Sequence, residues 1–236
     1  MSTTNSTQLP LAHSMFQKST SSIPPRLVLC PTGAFVHLPI HASGVHYPDA
    51  ASGRNDADAL SDYCTISYTP TISALLTARK RPMHISMPDL KMLIAAVSRP
   101  STSAWRPLPY SVQEIAQIKE ILPPSISMKL FSDDPFHGCP LPTLRSMLEG
   151  LPKSGVLHLA CHGYQDPLKP LNSGFVLCDG MLTVADLMSL KLENASLAFL
   201  SACETAKGVS TQPDQAIHLA AGMMFAGFQS VIGTMW

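Results

Sequence analysis

The chain has 236 residues, of which 45% are hydrophobic and 14% charged, so it can bury the core of one sizeable domain. Its 16 basic and 16 acidic side chains balance, and no basic patch argues for nucleic-acid binding. No apolar stretch approaches the roughly 20 residues that a membrane-spanning helix needs.

The amino terminus predicts a disordered tail over residues 1–25, which is rich in Ser and Thr and ends at Pro24-Pro25. It lacks the charged start and apolar block of a signal peptide. An organelle transit segment is the alternative, but Lys18 is its one basic residue before Arg26. The six cysteines form no CxxC pair. We therefore expect a cytoplasmic protein with reduced thiols, because disulfides persist mainly in oxidising compartments.

Strand-like and helical patterns follow in alternation. The less regular region 26–84 predicts strands at 26–30 and 63–68 and a helix at 71–80. From about Lys91 the alternation is cleaner. The predicted strands there are 92–97, 126–131, 155–160, 174–178, 181–182, 197–201 and 230–235. The predicted helices are one beginning at Ser111, 143–151, one beginning at Thr183, and 213–228.

This order predicts an α/β fold with a mostly parallel central sheet and helices on both faces. Ser111 and Glu114 have the spacing of a capping box at the start of their helix, and Pro123-Pro124 ends that helix. The chain stops at Trp236, directly after an apolar strand. We therefore expect a fragment of a longer protein, or else an unprotected sheet edge.

Two apolar runs end at reactive side chains: 157–163 contains His162, and 197–205 contains Cys203. Parallel strands present their carboxyl ends at one edge of the sheet, where open α/β folds bind ligands. A free thiol is mostly protonated at neutral pH, so a neighbouring base is needed to activate it. The pair predicts a catalytic dyad, with the backbone amides of Gly163 and Cys203 as oxyanion donors.

Other interpretations of these residues stay open. Taken singly, a cysteine or histidine at a strand end is usually part of the core. His158 and His162 have the spacing of a helical zinc pair, but they lie in a strand-like segment without the glutamate. Strand alternation places His158 in the interior and Cys161 on the opposite face, packed into the sheet. A metal site formed by His158, Cys161, His162 and Cys203 is the weaker alternative.

The runs Leu-His-Leu-Ala-Cys-His-Gly (157–163) and Leu-Ser-Ala-Cys-Glu-Thr (200–205) resemble the signature pair of CHAT-domain proteins, members of the caspase-like, separase-like cysteine peptidase superfamily. The stretches 165–168, 218–222 and 230–236 look like fungal versions. The resemblance runs from about Arg26 to the end, which gives a domain over 26–236 with its core at 91–236.

The resemblance implies a caspase-like three-layer sandwich with His162 as general base and Cys203 as nucleophile. It implies hydrolysis of a protein or peptide substrate through a thioester, without metal or organic cofactor. Helical-repeat regions of a longer protein are the expected regulatory partners. The alternative is a catalytically silent module that docks partners. Asp166 and Asp179 are candidates for a pocket that selects a basic side chain, although surface turn residues would look the same.

Overall fold

The computed structural model describes residues 24–45, 58–80, 90–100, 102, 104–135, 138–166, 168–201 and 219–233. Nearly all of the predicted tail 1–25 lies outside this set. The chain divides into two compact units. The first holds the described residues of Met1–Pro31 and Leu38–Thr69, and the second those of Thr32–His37 and Pro70–Trp236.

The first unit contains four short strands, β1 (Arg26–Leu29), β2 (Gly44–Val45), β3 (Asp58–Ala59) and β4 (Thr65–Tyr68). β1 pairs with β4 in parallel, and β2 pairs with β3 antiparallel. The Tyr68 hydroxyl lies 2.8 Å from His41 Nδ1, which links two segments of this unit. The two strands predicted in this region are confirmed.

The second unit alternates helices and strands. Its helices are α1 (Ile72–Lys80), α2 (Tyr110–Ile121), α3 (Leu144–Gly150), α4 (Val184–Ser189) and α5 (Leu219–Ala226). Its strands are β5 (Lys91–Ala96), β6 (Ser127–Ser132), β7 (Val156–Ala160), β8 (Gly163–Tyr164), β9 (Gly174–Val176), β10 (Met181–Thr183), β11 (Leu197–Ser201) and β12 (Ser230–Gly233). Of the predicted helix 213–228, residues 213–218 lie outside the described set.

Five of these strands form one sheet in the order β12-β11-β7-β5-β6, and every pairing in it is parallel. The predicted parallel sheet is therefore confirmed. β7 is the central strand, so its carboxyl end has neighbours on both sides. Strands β10, β9 and β8 form a second, antiparallel sheet, in which the strands predicted at 174–178 and 181–182 pair with each other.

One face of the five-stranded sheet carries the larger of two buried apolar clusters. Leu157, Leu159 and Cys161 project to this side with the alternation of a strand. Helices α3, α4 and α5 cover them through apolar side chains that are almost completely buried; these include Met147, Val184, Leu187, Leu219 and Met223. Burying side chains of this size is the main source of stability in such a layer.

Helix α2 covers the opposite face. Ile115 and Ile118 pack against Ile94, Ala96 and other side chains of the central strands. Helices therefore flank the sheet on both sides, as the sequence predicted. Ile115 and Ile118 face the sheet together because residues three apart lie on the same side of a helix.

The capping box predicted at Ser111 is wrong. α2 begins one residue earlier, at Tyr110, and Pro109 precedes it with no side-chain capping bond. The Ser111 hydroxyl donates to the carbonyl of Leu108, which precedes the helix. Glu114 does not turn back to the helix start, because its carboxylate contacts the sheet. The predicted end of the helix is confirmed, since Leu122 leaves the helix with extended backbone before Pro123.

Candidate active site

His162 lies at the carboxyl end of the central strand. β7 ends at Ala160 and β8 begins at Gly163, so His162 occupies the short turn between two sheets. Its side chain is half-buried. The carboxyl ends of β5, β6, β11 and β12 reach the same edge because all five strands are parallel.

A backbone carbonyl orients the His162 ring. His162 Nε2 lies 2.7 Å from the carbonyl oxygen of Arg106. A carbonyl only accepts, so Nε2 must carry the proton in this contact. In the neutral ring Nδ1 is then the unprotonated nitrogen, which is the one able to take a proton.

Trp105 packs beside the same ring, and Tyr164 packs in turn against Trp105. The rings of Trp105 and His162 have centroids 5.1 Å apart at an interplanar angle of 33°. Tyr164 meets Trp105 edge-on at 6.2 Å. The Arg106 carbonyl and the Trp105 ring both contact the imidazole, and such contacts favour the defined ring orientation that a general base requires.

The loop that carries Trp105 and Arg106 is anchored at the sheet edge. Asp133, directly after β6, accepts hydrogen bonds from the backbone N–H groups of Ser98 and Arg99 through its two carboxylate oxygens. This loop follows β5 and therefore leaves the same edge as His162. Sequence reasoning missed it, although Trp105 in a loop after a buried strand was a usable signal.

The Gly163 amide points away from its partner strand. Val176 N–H donates to the His162 carbonyl, and Gly163 pairs with Phe175. In this antiparallel register Gly163 belongs to a non-hydrogen-bonded pair, whose N–H groups face outward. β8 has β9 as its one partner among the strands that the structure describes. The amide is therefore directed to the open side of β8, as an oxyanion donor would be.

Cys203 lies outside the described residues, but β11, the strand that leads to it, is described. β11 lies beside β7, and Ser201 pairs with Ala160 at the end of both strands. The residue numbers of paired residues differ by 41 along the whole pairing of these strands, as in Val156 with Leu197. His162 and Cys203 differ by the same number in the sequence.

Glu114 reaches the two strands from α2. Its Oε2 accepts a hydrogen bond of 2.8 Å from the Ser201 hydroxyl. Its Oε1 lies 3.0 Å from His158 Nε2. The imidazole of His158 and the hydroxyl of Ser201 lower the pKa of Glu114, although partial burial acts in the opposite direction.

His158 is buried, as the sequence predicted, and its ring stacks on Phe199 with centroids 5.0 Å apart. Nε2 is close to Glu114 but misaligned, and it has no well-aligned partner among the residues described. His158 therefore belongs to the interior beneath the site.

Cys161 is buried on the opposite face from His158, as predicted. Burial raises the pKa of its thiol far above the ordinary range. Such a thiol stays protonated and unreactive at neutral pH. The metal alternative needed Cys161 and His158 on one side. In the described part of the chain, no group of three His, Cys, Asp or Glu side chains is arranged to hold a metal ion.

Both candidate pocket carboxylates have local structural partners. Asp166 accepts hydrogen bonds from the backbone N–H groups of Lys169 and Leu168, which lower its pKa. Asp179 accepts from the backbone N–H of Leu144 in the first turn of α3. These contacts are typical of turn and capping residues. A substrate-binding role for either residue stays a prediction.

The family model for the CHAT domain matches residues 5–236. This match and the parallel sheet with helices on both faces agree with a caspase-like sandwich. No curated protein matches the chain. Among the helices of the described residues, none combines the length and apolar character needed to cross a bilayer.

Proposed function

Because the chain belongs to the CHAT-domain family, of caspase-like fold, we propose that it is a cysteine endopeptidase. His162 is the general base and Cys203 is the nucleophile. The substrate is a protein or peptide, and we place the activity in the cytoplasm, where thiols stay reduced.

One observation carries the proposal: the register of β7 and β11. Ala160 and Ser201 are paired neighbours, and each is followed two residues later by one member of the dyad. Neighbouring strands lie about 4.8 Å apart. A thiol that continues this register past Ser201 comes within reach of the His162 ring. The Arg106 carbonyl supports the same assignment, because it leaves Nδ1 free to accept the thiol proton.

The chemistry then follows in two steps. The Cys203 thiol gives its proton to His162 Nδ1, and the sulfur attacks the scissile carbonyl carbon. The amides of Gly163 and Cys203 stabilise the resulting oxyanion. On collapse the C–N bond breaks, and the leaving amine takes the proton from the imidazolium. Water, deprotonated by His162, hydrolyses the thioester and regenerates the thiol.

The test is cleavage of a complex peptide library, with cleavage sites identified by mass spectrometry, and labelling by a peptidyl acyloxymethyl ketone. The variants are Cys203→Ala and His162→Ala, with Cys30→Ala as a matched control because Cys30 is an exposed cysteine in the other unit. We expect Cys203→Ala to abolish cleavage and labelling, His162→Ala to reduce cleavage about 10²–10⁴-fold, and Cys30→Ala to behave as wild type.

Two results would contradict the proposal. One is equal cleavage by Cys203→Ala and wild type. The other is full cellular rescue by Cys203→Ala, together with no cleavage or labelling by the wild-type protein. The second result would support the alternative, a regulatory module that binds partners through the same fold.

A further inference from the structure

One carboxylate joins two neighbouring strands beneath the proposed site. Glu114 projects from α2 and places one oxygen 2.8 Å from the Ser201 hydroxyl on β11. Its other oxygen lies 3.0 Å from His158 Nε2 on β7. A single side chain from the covering helix therefore contacts both strands that lead to the dyad.

The two residues that Glu114 contacts lie close in sequence to the proposed dyad. Ser201 is the last residue of β11, two residues before Cys203. His158 is four residues before His162 on the central strand. The ring of Phe199 stacks on His158 at an interplanar angle of 15°, so the imidazole is also held from the β11 side.

Holding two strands together through these polar side chains costs more free energy than holding them together through apolar packing. On the opposite face of the same sheet, a large cluster of buried apolar side chains packs against the strands. Replacing buried ion pairs with apolar groups of similar volume is often neutral or stabilising, and here His158 is buried and Glu114 partly so. His158 Nε2 is buried without a well-aligned hydrogen bond, which adds a desolvation penalty. Most of the stability of the sheet therefore comes from apolar burial, and these polar side chains are not its main source.

We propose that Glu114 is a positioning residue for the dyad. Its hydrogen bond with Ser201 fixes the end of β11, and its contact with His158 holds that end in place relative to β7. Loss of this contact should therefore weaken the activation of Cys203 by His162. The inference rests on the proposed function, because it assigns Glu114 a role in bringing those two groups together.

The test measures the rate at which iodoacetamide alkylates Cys203 in the full chain, followed peptide by peptide with mass spectrometry. The variants are Glu114→Gln, which removes the charge, and Ser201→Ala, which removes the hydroxyl. Ser201→Thr keeps the hydroxyl and should restore the contact. We expect Glu114→Gln and Ser201→Ala each to slow alkylation about tenfold, as loss of a hydrogen bond to a charged group implies, and Ser201→Thr to recover most of the rate.

Three controls run within the same experiment. Glu120→Gln removes an exposed carboxylate from the same helix and should leave the rate unchanged. Alkylation of the exposed Cys30 shows in every sample that the reagent is active. Buried Cys161 reports on opening of the sheet, because its thiol is alkylated only when the core is exposed.

The outcomes are distinguishable. Slower alkylation of Cys203 with Cys161 still protected, and recovery in Ser201→Thr, supports the positioning role. Slower alkylation accompanied by labelling of Cys161 overturns it in favour of a general structural role. Wild-type rates in Glu114→Gln and Ser201→Ala, while His162→Ala is slow, overturn it and leave the proposed function intact. If His162→Ala alkylates at the wild-type rate, the proposed function fails and the positioning role fails with it.

Discussion

The two faces of the five-stranded sheet differ in chemistry. The face under α3, α4 and α5 is continuous and apolar, with Leu157 and Leu159 fully buried at its centre. The face under α2 has a smaller apolar cluster, and beside it lie Glu114, His158 and Ser201. The first face therefore supplies stability, whereas the second combines packing with a polar contact directly beneath the candidate site.

The exposure of the second face changes across the sheet, as one row of paired residues shows. From β5 to β12, the exposed fractions are 0% at Ile94, 4% at His158, 37% at Phe199 and 50% at Ile232. The row passes from covered to exposed at β11, the strand that precedes Cys203. The polar contact of Glu114 lies at this boundary, where apolar packing alone holds the strand less firmly.

The largest expected effect concerns the apolar face. Leu157→Ala should lower the free energy of unfolding by about 2–5 kcal/mol, because it removes buried methyl groups and leaves a cavity. Urea denaturation measures the change. Leu168→Ala is the matched control, since that side chain is 89% exposed and its loss should change stability by at most about 0.5 kcal/mol. Equal effects in the two variants would mean that this face is not the stabilising core.

A smaller effect is expected where α5 approaches α4. A Cβ at Gly222 would lie 2.9 Å from Val184 Cγ2 and 3.1 Å from its Cγ1. Gly222→Ala should destabilise by about 1 kcal/mol net, because overpacking costs about 1–3 kcal/mol and alanine's helix propensity offsets about 1 kcal/mol.

Thermal unfolding compares this variant with Gly180→Ala, a turn position where a Cβ meets nothing within 4 Å. The double variant Gly222→Ala/Val184→Ala should lose less stability than the two single changes added together, since they share one contact. A stabilising Gly222→Ala would contradict the tight packing of these helices.

The smallest effect is the pH dependence contributed by the polar face. The pKa of Glu114 is lowered from its ordinary 4.5 by His158 and Ser201. A carboxyl group with a lowered folded-state pKa stabilises the fold above its unfolded pKa, and this contribution is lost as the pH falls through the folded value. The stability difference between wild type and Glu114→Gln should therefore be largest above about pH 5 and shrink on acidification.

Urea midpoints across this range measure that difference. Glu120→Gln, on the exposed side of α2, should follow the wild-type curve at every pH. A difference between wild type and Glu114→Gln that stays constant from neutral to acidic pH would exclude the ionised carboxylate as its source.

Much of the fold was predictable because its signals are local. Apolar runs of strand length predicted all five strands of the parallel sheet, and alternation placed Cys161 and His158 on opposite faces. Thr183 and Asp186 form the predicted helix start, each side chain bonding the other's backbone N–H. Ser111 and Glu114 have the same spacing but no such role, because the tertiary contact of Glu114 with β7 and β11 prevails over the local one.

The environment of His162 was not predictable in this way. A backbone carbonyl orients the ring, and any residue at position 106 would present the same carbonyl, so no side-chain signature exists. The anchoring of that loop by Asp133 joins two segments more than 30 residues apart. Contacts of this kind depend on the order of strands in the sheet, which the sequence pattern alone does not specify.

The central claim is that His162 activates Cys203, and the register of β7 and β11 up to Ala160 and Ser201 predicts that a cross-link can join the two positions. In-register neighbours have Cα atoms about 5 Å apart, within the range that a disulfide spans. His162→Cys should therefore form a disulfide with Cys203 on mild oxidation, detected as one linked peptide pair, whereas Tyr164→Cys should not. If His162→Cys stays reduced, or links to another cysteine while Cys203 remains free, the two positions are not neighbours and the proposed dyad is contradicted.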